Sequence, residues 1–299
     1  MGEKKRIQQR AIGTYISAPS SRSQREGGNG GVVYAHGNSL ASGIASRVFG
    51  LNTELRLRRH CLQCYKSLAT MRPVLGYWKT RCLAQPIRLL LAYKRVDYED
   101  KQYEAGDPPD YDKTCWFSVK YNLGLDFPNL PYYIDGDVKL SQTLAILRYL
   151  GRKYDLDGKT EEEMRRIDIL VNDAMDLATQ LWDVCYYDYD QKPEYLRKLP
   201  EKIKKYSDFL GHRSWFAGEK LTFADFLIYE FLDQHRVLDP TCLEAAPPLQ
   251  RFMACLEGLE PIREYMVSPS FMSAPLFNKY AAYEIEQRAK KTTAQDGKK

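Results

Sequence analysis

The stretch RPVLGYWKTRCLAQPIRLLLAY, Arg72–Tyr93, decides the fold. Pro73–Lys79 is a short apolar run carrying a Tyr-Trp pair and reads as a buried strand. Leu83, Ile87, Leu90 and Leu91 follow at i, i+4, i+7 and i+8, the apolar stripe of a helix. The carboxyl end of such a strand, facing the next helix, is where α/β sheets bind ligands. Tyr77 stands there. Taken alone it is one of 22 tyrosines, and its ring packs like the others.

Working outward, VDYEDKQY (Val96–Tyr103) reads as a second strand, followed by the polar loop EAGDPPDYDK and a short segment around Trp116. NLPYYIDGDVKLSQTLAILRYL supplies a strand, a tight Asp135-Gly136 turn, another strand and a helix. The order βαβα-ββα predicts a small α/β domain with a mixed four-stranded sheet. Pro131 at a strand entry is a candidate cis proline. From Glu161 the period changes: Ile167, Leu170, Val171, Ala174, Ala178 and Leu181 hold helical spacing, and strand signals vanish. Thr222-Phe223-Ala224-Asp225 is a capping box, with Leu221 and Phe226 placed as its hydrophobic staple. An α/β domain over 71–154 and an all-helical domain over 160–290 are therefore expected, with the boundary near Tyr154–Lys159.

Residues 1–70 differ in kind. They hold eleven Lys/Arg and three acids, a net +8, so the chain's +5 leaves −3 for the remaining 229 residues. Positive charge thus belongs to the leader and gives the body no reason to bind nucleic acid. Rich in Gly, Ser and Arg, the leader buries too little apolar surface to offset its ordering entropy, so disorder is expected apart from a short helix near Leu51–Leu68. Cys61 and Cys64 form a lone CxxC with no second pair, a weak metal or redox signal. Met71 is a candidate start of the working protein. No run approaches 18 apolar residues, and seven cysteines at irregular spacings do not form a secreted disulfide framework, so a cytoplasmic protein off the membrane is expected.

The segments LGYWKTRCLAQPIRLLLAY, YEAGDPPDYDKTCW, LGLDFPNLPYYIDG, SQTLAILRYL, WFAGEKLTFADFLIYEFLD and CLEAAPPLQRFMACLEGLEPI, in this order and spacing, resemble the cytosolic glutathione S-transferases, specifically their mu class. The resemblance runs from about Arg72 to Tyr283. It implies a thioredoxin-like domain before a helical one, glutathione as co-substrate with no cofactor or metal, a hydrophobic electrophile as second substrate, and a homodimer.

The resemblance also implies roles. Only a thiolate attacks electrophiles. Moving a thiol from about 8.5 to dominance at pH 7 takes roughly 2 pKa units, or about 2.7 kcal/mol, and one hydrogen bond to a charged group supplies ~1.5–3 kcal/mol. Tyr77 is the implied donor, as a neutral phenol. Gln142 and Thr143 match the anchor of the γ-glutamyl carboxylate at a helix N-terminus, where free N–H groups favour an anion. Asn129 and Leu130 match the pairing site of the cysteinyl moiety. Trp78, Lys113, Trp116 and Lys120 match residues around the glycine end, and Asp176 one that reaches the glutamyl amine from the partner subunit. Leu83, Tyr186 and Asn278 match the electrophile pocket. Phe127 matches an aromatic key entering the partner, and Arg148 an interface arginine.

Departures from the family pattern concern substrate preference. Lys113 stands where Arg is common and offers a point charge in place of a fork. Cys82 replaces a usual Gly; a helix N-terminus would make its thiol acidic, while its small size suits an inert role. Leu144 replaces a common Asn, and the loop after Tyr186 is about two residues short. A thiol oxidoreductase on the same fold would need Cys at the end of the first strand, where Tyr77-Trp78-Lys79-Thr80 stands. A non-catalytic ligand carrier is the other alternative; it would bind apolar ligands without turnover.

Overall fold

The computed structural model describes residues 72–296. The expectations for residues 1–70, including the short helix and the Cys61/Cys64 pair, lie outside the described residues.

Strand β1 (Val74–Trp78) leads through a single 3₁₀ turn (Cys82–Ala84) into helix α1 (Gln85–Tyr93). Strand β2 (Glu99–Tyr103), helix α2 (Thr114–Phe117), strands β3 (Tyr132–Asp135) and β4 (Val138–Ser141) and helix α3 (Thr143–Lys153) complete the first half. The sheet order is β2-β1-β3-β4, with β1 parallel to β2 and antiparallel to β3. This is the mixed sheet expected. Gly76 is required by packing: a Cβ there would sit 2.1 Å from the Tyr132 ring on β3. The Leu130–Pro131 bond is cis.

Two details differ from the sequence reading. The second strand starts at Glu99, not Val96; Val96 closes the end of α1 by donating to the Leu91 carbonyl. Leu83 heads the apolar stripe but lies in the 3₁₀ turn. Cys82 has φ +31°, and the helix begins only at Gln85, with Pro86 in its first turn.

The second half holds α4 (Glu161–Tyr187), α5 (Lys192–Leu210), α6 (Phe223–Leu238), α7 (Pro247–Gly258), α8 (Glu260–Val267) and α9 (Ala282–Asp296). A Thr160/Glu163 capping box opens α4. At α6 the Asp225 carboxylate accepts from the Thr222 and Phe216 backbone N–H groups and the Thr222 hydroxyl. α6 runs through the centre of the helical half, and thirteen of its sixteen residues are buried. Helices α1, α3 and α4 all pack on it. A fully buried ion pair ties the layers: Arg81, in the loop after β1, donates to Glu230 (2.6 and 3.2 Å) and Asp233 (2.5 Å) on α6.

Candidate active site

Tyr77 is the penultimate residue of β1 and is buried. The Cys82 thiol and the Leu83 backbone lie close enough to its hydroxyl to act on its ionisation. Burial, with Cys82 and Tyr186 nearby, pushes its pKa well above the usual phenol value. The group is therefore a neutral donor across the physiological range. The Leu83 carbonyl in turn accepts from the Thr143 hydroxyl at 3.2 Å. Leu83 thus lies close to the Tyr77 hydroxyl and is tied to the N-terminus of α3.

At that N-terminus Gln142 is exposed with φ +75°, and no side chain caps the helix. The first-turn N–H groups and the helix dipole favour an anion there. The Thr143 hydroxyl spends its proton on Leu83, so toward an anion Thr143 offers its backbone N–H.

Trp78, Trp116, Tyr103 and Tyr132 form one aromatic cluster behind the site. Trp116 stacks on Tyr132 at 6.1 Å and meets Tyr103 edge-on at 5.4 Å; Tyr103 meets the Trp78 edge at 6.5 Å, and the two tyrosine hydroxyls bond at 2.9 Å. Lys120 lies beside Phe117 and Tyr121. Leu130 donates its N–H to the Asn129 side chain at 2.9 Å, so this expected pairing edge is already engaged.

Two of the expected electrophile residues, Tyr186 and Asn278, come together. The Tyr186 hydroxyl accepts from the Asn278 backbone and side chain at 3.2 and 3.3 Å, and Tyr186 is close enough to Tyr77 to act on its ionisation. Leu83, in the 3₁₀ turn, is half-buried against the core. Tyr280, which the sequence reading passed over, is central: it packs against Tyr186 (5.9 Å) and Tyr111 (6.0 Å) and sits 4.1 Å below the Lys113 ammonium. Lys279 adds ion pairs to Asp107 (3.0 Å) and Glu104 (3.5 Å). The C-terminal segment is thereby fastened onto the β2–α2 loop. Lys113 is desolvated and its pKa lowered.

Of the two roles open to Cys82, an acidic thiol at a helix start and an inert small residue, its surroundings favour the second. Burial dominates and pushes the thiol up to about 12, and the residue opens a single 3₁₀ turn with little dipole. Of the interface candidates, Phe127 is 78% exposed, whereas Arg148 is paired with Asp168 of its own chain at 2.9 Å. Asp176 lies exposed on α4, near Tyr206 of α5. Among the described residues no His/Cys/Asp/Glu cluster could hold a metal ion.

A family model described as "Glutathione S-transferase, N-terminal domain" matches residues 73–152, and one described as "Glutathione S-transferase, C-terminal domain" matches residues 175–269. Glutathione S-transferase Mu 2 of Rattus norvegicus is 57% identical over 213 residues, 71% of this chain and 98% of the relative. Glutathione S-transferase Mu 1 of Bos taurus is 53% identical over 215 residues, 71% and 99% respectively. Among solved structures, the glutathione S-transferase Blo t 8 superposes with a TM-score of 0.65 at 30% identity, covering 70% of this chain and 98% of that one. These matches cover both halves of the described residues, and the chain belongs to the glutathione S-transferase family, within it to the mu class.

Proposed function

We propose that this chain conjugates the thiolate of glutathione to hydrophobic electrophiles, as a detoxifying enzyme of the cytosol. The observation that carries the reading is the buried neutral Tyr77 hydroxyl at the end of β1, with Leu83 beside it tied to the uncapped N-terminus of α3. The γ-glutamyl carboxylate lies at that N-terminus, by Gln142 and the Thr143 N–H. The cysteinyl backbone pairs at Leu130, displacing the Asn129 side chain. Lys113, Trp116, Lys120 and Trp78 surround the glycine end. The thiol then reaches Tyr77, whose O–H stabilises the anion. The electrophile enters between Leu83, Tyr186 and Asn278, where an apolar wall meets hydrogen-bonding groups. The five described cysteines are free, as a reducing compartment keeps them. The test is conjugation of a chlorodinitroarene by the purified protein beside Tyr77→Phe across pH 6 to 9.

The working unit we propose is a homodimer. A pocket of about 150 Å³ opens between α4 and α5, lined by Ile169, Leu170, Asp173, Lys205, Tyr206 and Phe209. A cavity of about that size accepts a benzene ring. Phe127, 78% exposed on its loop, is the ring that fills it on the partner. Asp176 lies one turn beyond Asp173, so docking brings it to the interface and within reach of the partner's glutamyl amine. Two-fold symmetry makes the contact twice. Each Phe burial contributes about 2 kcal/mol, so Phe127→Ala should weaken the dimer by about 4 kcal/mol, roughly a thousandfold in Kd. Sedimentation analysis reads this directly, and an unchanged dimer constant would refute the key.

Residues 1–70 are proposed to be dispensable for this chemistry. A match over 71% of the chain accounts for 98% of the length of the rat Mu 2 relative, and the family match starts at residue 73. Met71–Lys299 should match the full chain in conjugation rate and dimer constant; a loss of either on truncation would assign the leader a role.

A further inference from the structure

Lys113 is a half-buried cation whose nearest charge partner is a ring. Its ammonium stands 4.1 Å from the centroid of Tyr280, and no carboxylate offsets its desolvation among the described residues. An aromatic face attracts a cation, more strongly where water is excluded. The Tyr280 ring is itself fixed from other sides. Tyr186 of α4 packs on it at 5.9 Å, and Tyr111 meets it edge-on at 6.0 Å. Its neighbour Lys279 pairs with Asp107 at 3.0 Å, and the Lys279 carbonyl accepts from Arg288 of α9. Phe277, three residues earlier, packs on Tyr186 at 5.4 Å and on Tyr283 at 5.8 Å. These contacts do not involve Lys113, so the ring is a platform on which the ammonium rests. A lysine carries three donors on a flexible four-carbon stem. Contact with a ring face uses its charge and leaves N–H groups for an anion on the other side.

We propose that Tyr280 is a positioning residue for glutathione: its ring holds the Lys113 ammonium where the glycine carboxylate arrives, and so supplies the fixed geometry that a lysine alone lacks. The inference rests on the reading that places Lys113 at the glycine end. The carboxylate gives the half-buried ammonium the anion that its surroundings do not provide. Because the side chain is already ordered, less of its freedom is lost when the ligand binds. The same ring touches Tyr186, so the glycine end of one substrate and the pocket of the other share one support.

The experiment measures Kd by titration calorimetry for glutathione and for γ-glutamylcysteine, the same molecule without its glycine. The proteins are the full chain, Tyr280→Leu, Tyr280→Phe, Lys113→Met and the double variant Lys113→Met/Tyr280→Leu. Tyr280→Leu should weaken glutathione by about threefold to tenfold, the span of one cation–ring contact, and leave γ-glutamylcysteine unchanged. Tyr280→Phe keeps the ring under the ammonium and should stay within about twofold of the parent for both ligands. Once Lys113→Met is in place, Tyr280→Leu should have no further effect, because the cation it positions is gone. Equal weakening of both ligands by Tyr280→Leu would assign the ring to packing of the C-terminal segment and overturn the inference. Tighter glutathione binding in that variant would mean that ring and carboxylate compete for the ammonium, which overturns it too. If Lys113→Met weakens glutathione selectively while Tyr280→Leu does not, the inference fails and the Lys113 reading stands. If Lys113→Met binds both ligands as the parent does, both fail.

Discussion

Tyr77→Phe should lower glutathione conjugation at pH 7 by roughly thirtyfold, with the deficit shrinking as pH rises. A glutathione thiol left at about 8.5 is only ~3% ionised at pH 7. A hydroxyl that lowers it by roughly 2 units makes the thiolate dominant there. The ratio is greatest below the shifted value, near 6.5, and is lost as pH rises from there through the free value, near 8.5. Above that, the thiol ionises without help, so by pH 9 the variant should come within a few-fold of the parent. The phenol adds no limb of its own, because burial and the Cys82 sulfur hold its pKa well above this range. Glutathione affinity should change little, since the carboxylate, backbone and glycine contacts lie elsewhere. The stopped rate measured at saturating electrophile decides the matter. A deficit that stays constant from pH 6 to 9 would mean that Tyr77 positions substrate without stabilising its anion.

How much of this was legible depends on the range of the interaction. The strand end at Tyr77-Trp78, the Asp135-Gly136 turn and the Thr222–Asp225 cap are written in contiguous residues, and the structure holds all three. The start of α1 was misread because it hinges on Cys82 at φ +31°, a conformation that no cysteine announces. Tyr280 was overlooked for a different reason. Its contacts to Lys113 and Tyr111 exist only once the C-terminal segment has crossed back over the first half, more than 160 residues away in sequence. Engagement is likewise unreadable from residue type: Asn129 and Arg148 carry the right groups, yet the structure spends them on Leu130 and Asp168. Motif matching names the groups at a site; only geometry says which are already occupied.

The same limit hid the Arg81–Glu230 pair, 149 residues apart, and here the expected effect on stability is the largest. Arg81→Leu should cost about 3–5 kcal/mol, the usual penalty for stripping one partner from a buried ion pair. Burial alone would lower the Arg81 pKa; Glu230 and Asp233 more than reverse it, so the guanidinium is firmly charged. Without it the Glu230 carboxylate keeps only the Gln234 amide at 3.0 Å, while Asp233 keeps Arg236. Glu230 is wholly buried and already has its pKa raised by desolvation against the pull of Arg81. Losing Arg81 raises it further. A carboxyl whose folded pKa exceeds its unfolded value destabilises the fold when ionised, and that cost fades as pH falls through the folded pKa toward the unfolded one. The Arg81→Leu deficit in urea unfolding should therefore be greatest near pH 8 and narrow towards pH 5. Adding Glu230→Gln should recover much of it, since a neutral amide of the same shape no longer needs a cation. The loop that Arg81 anchors runs straight into Cys82 and Leu83, so the single variant should also raise KM for glutathione. A pH-independent deficit, or no recovery in the double variant, would show that Arg81 acts through packing and not through its charge.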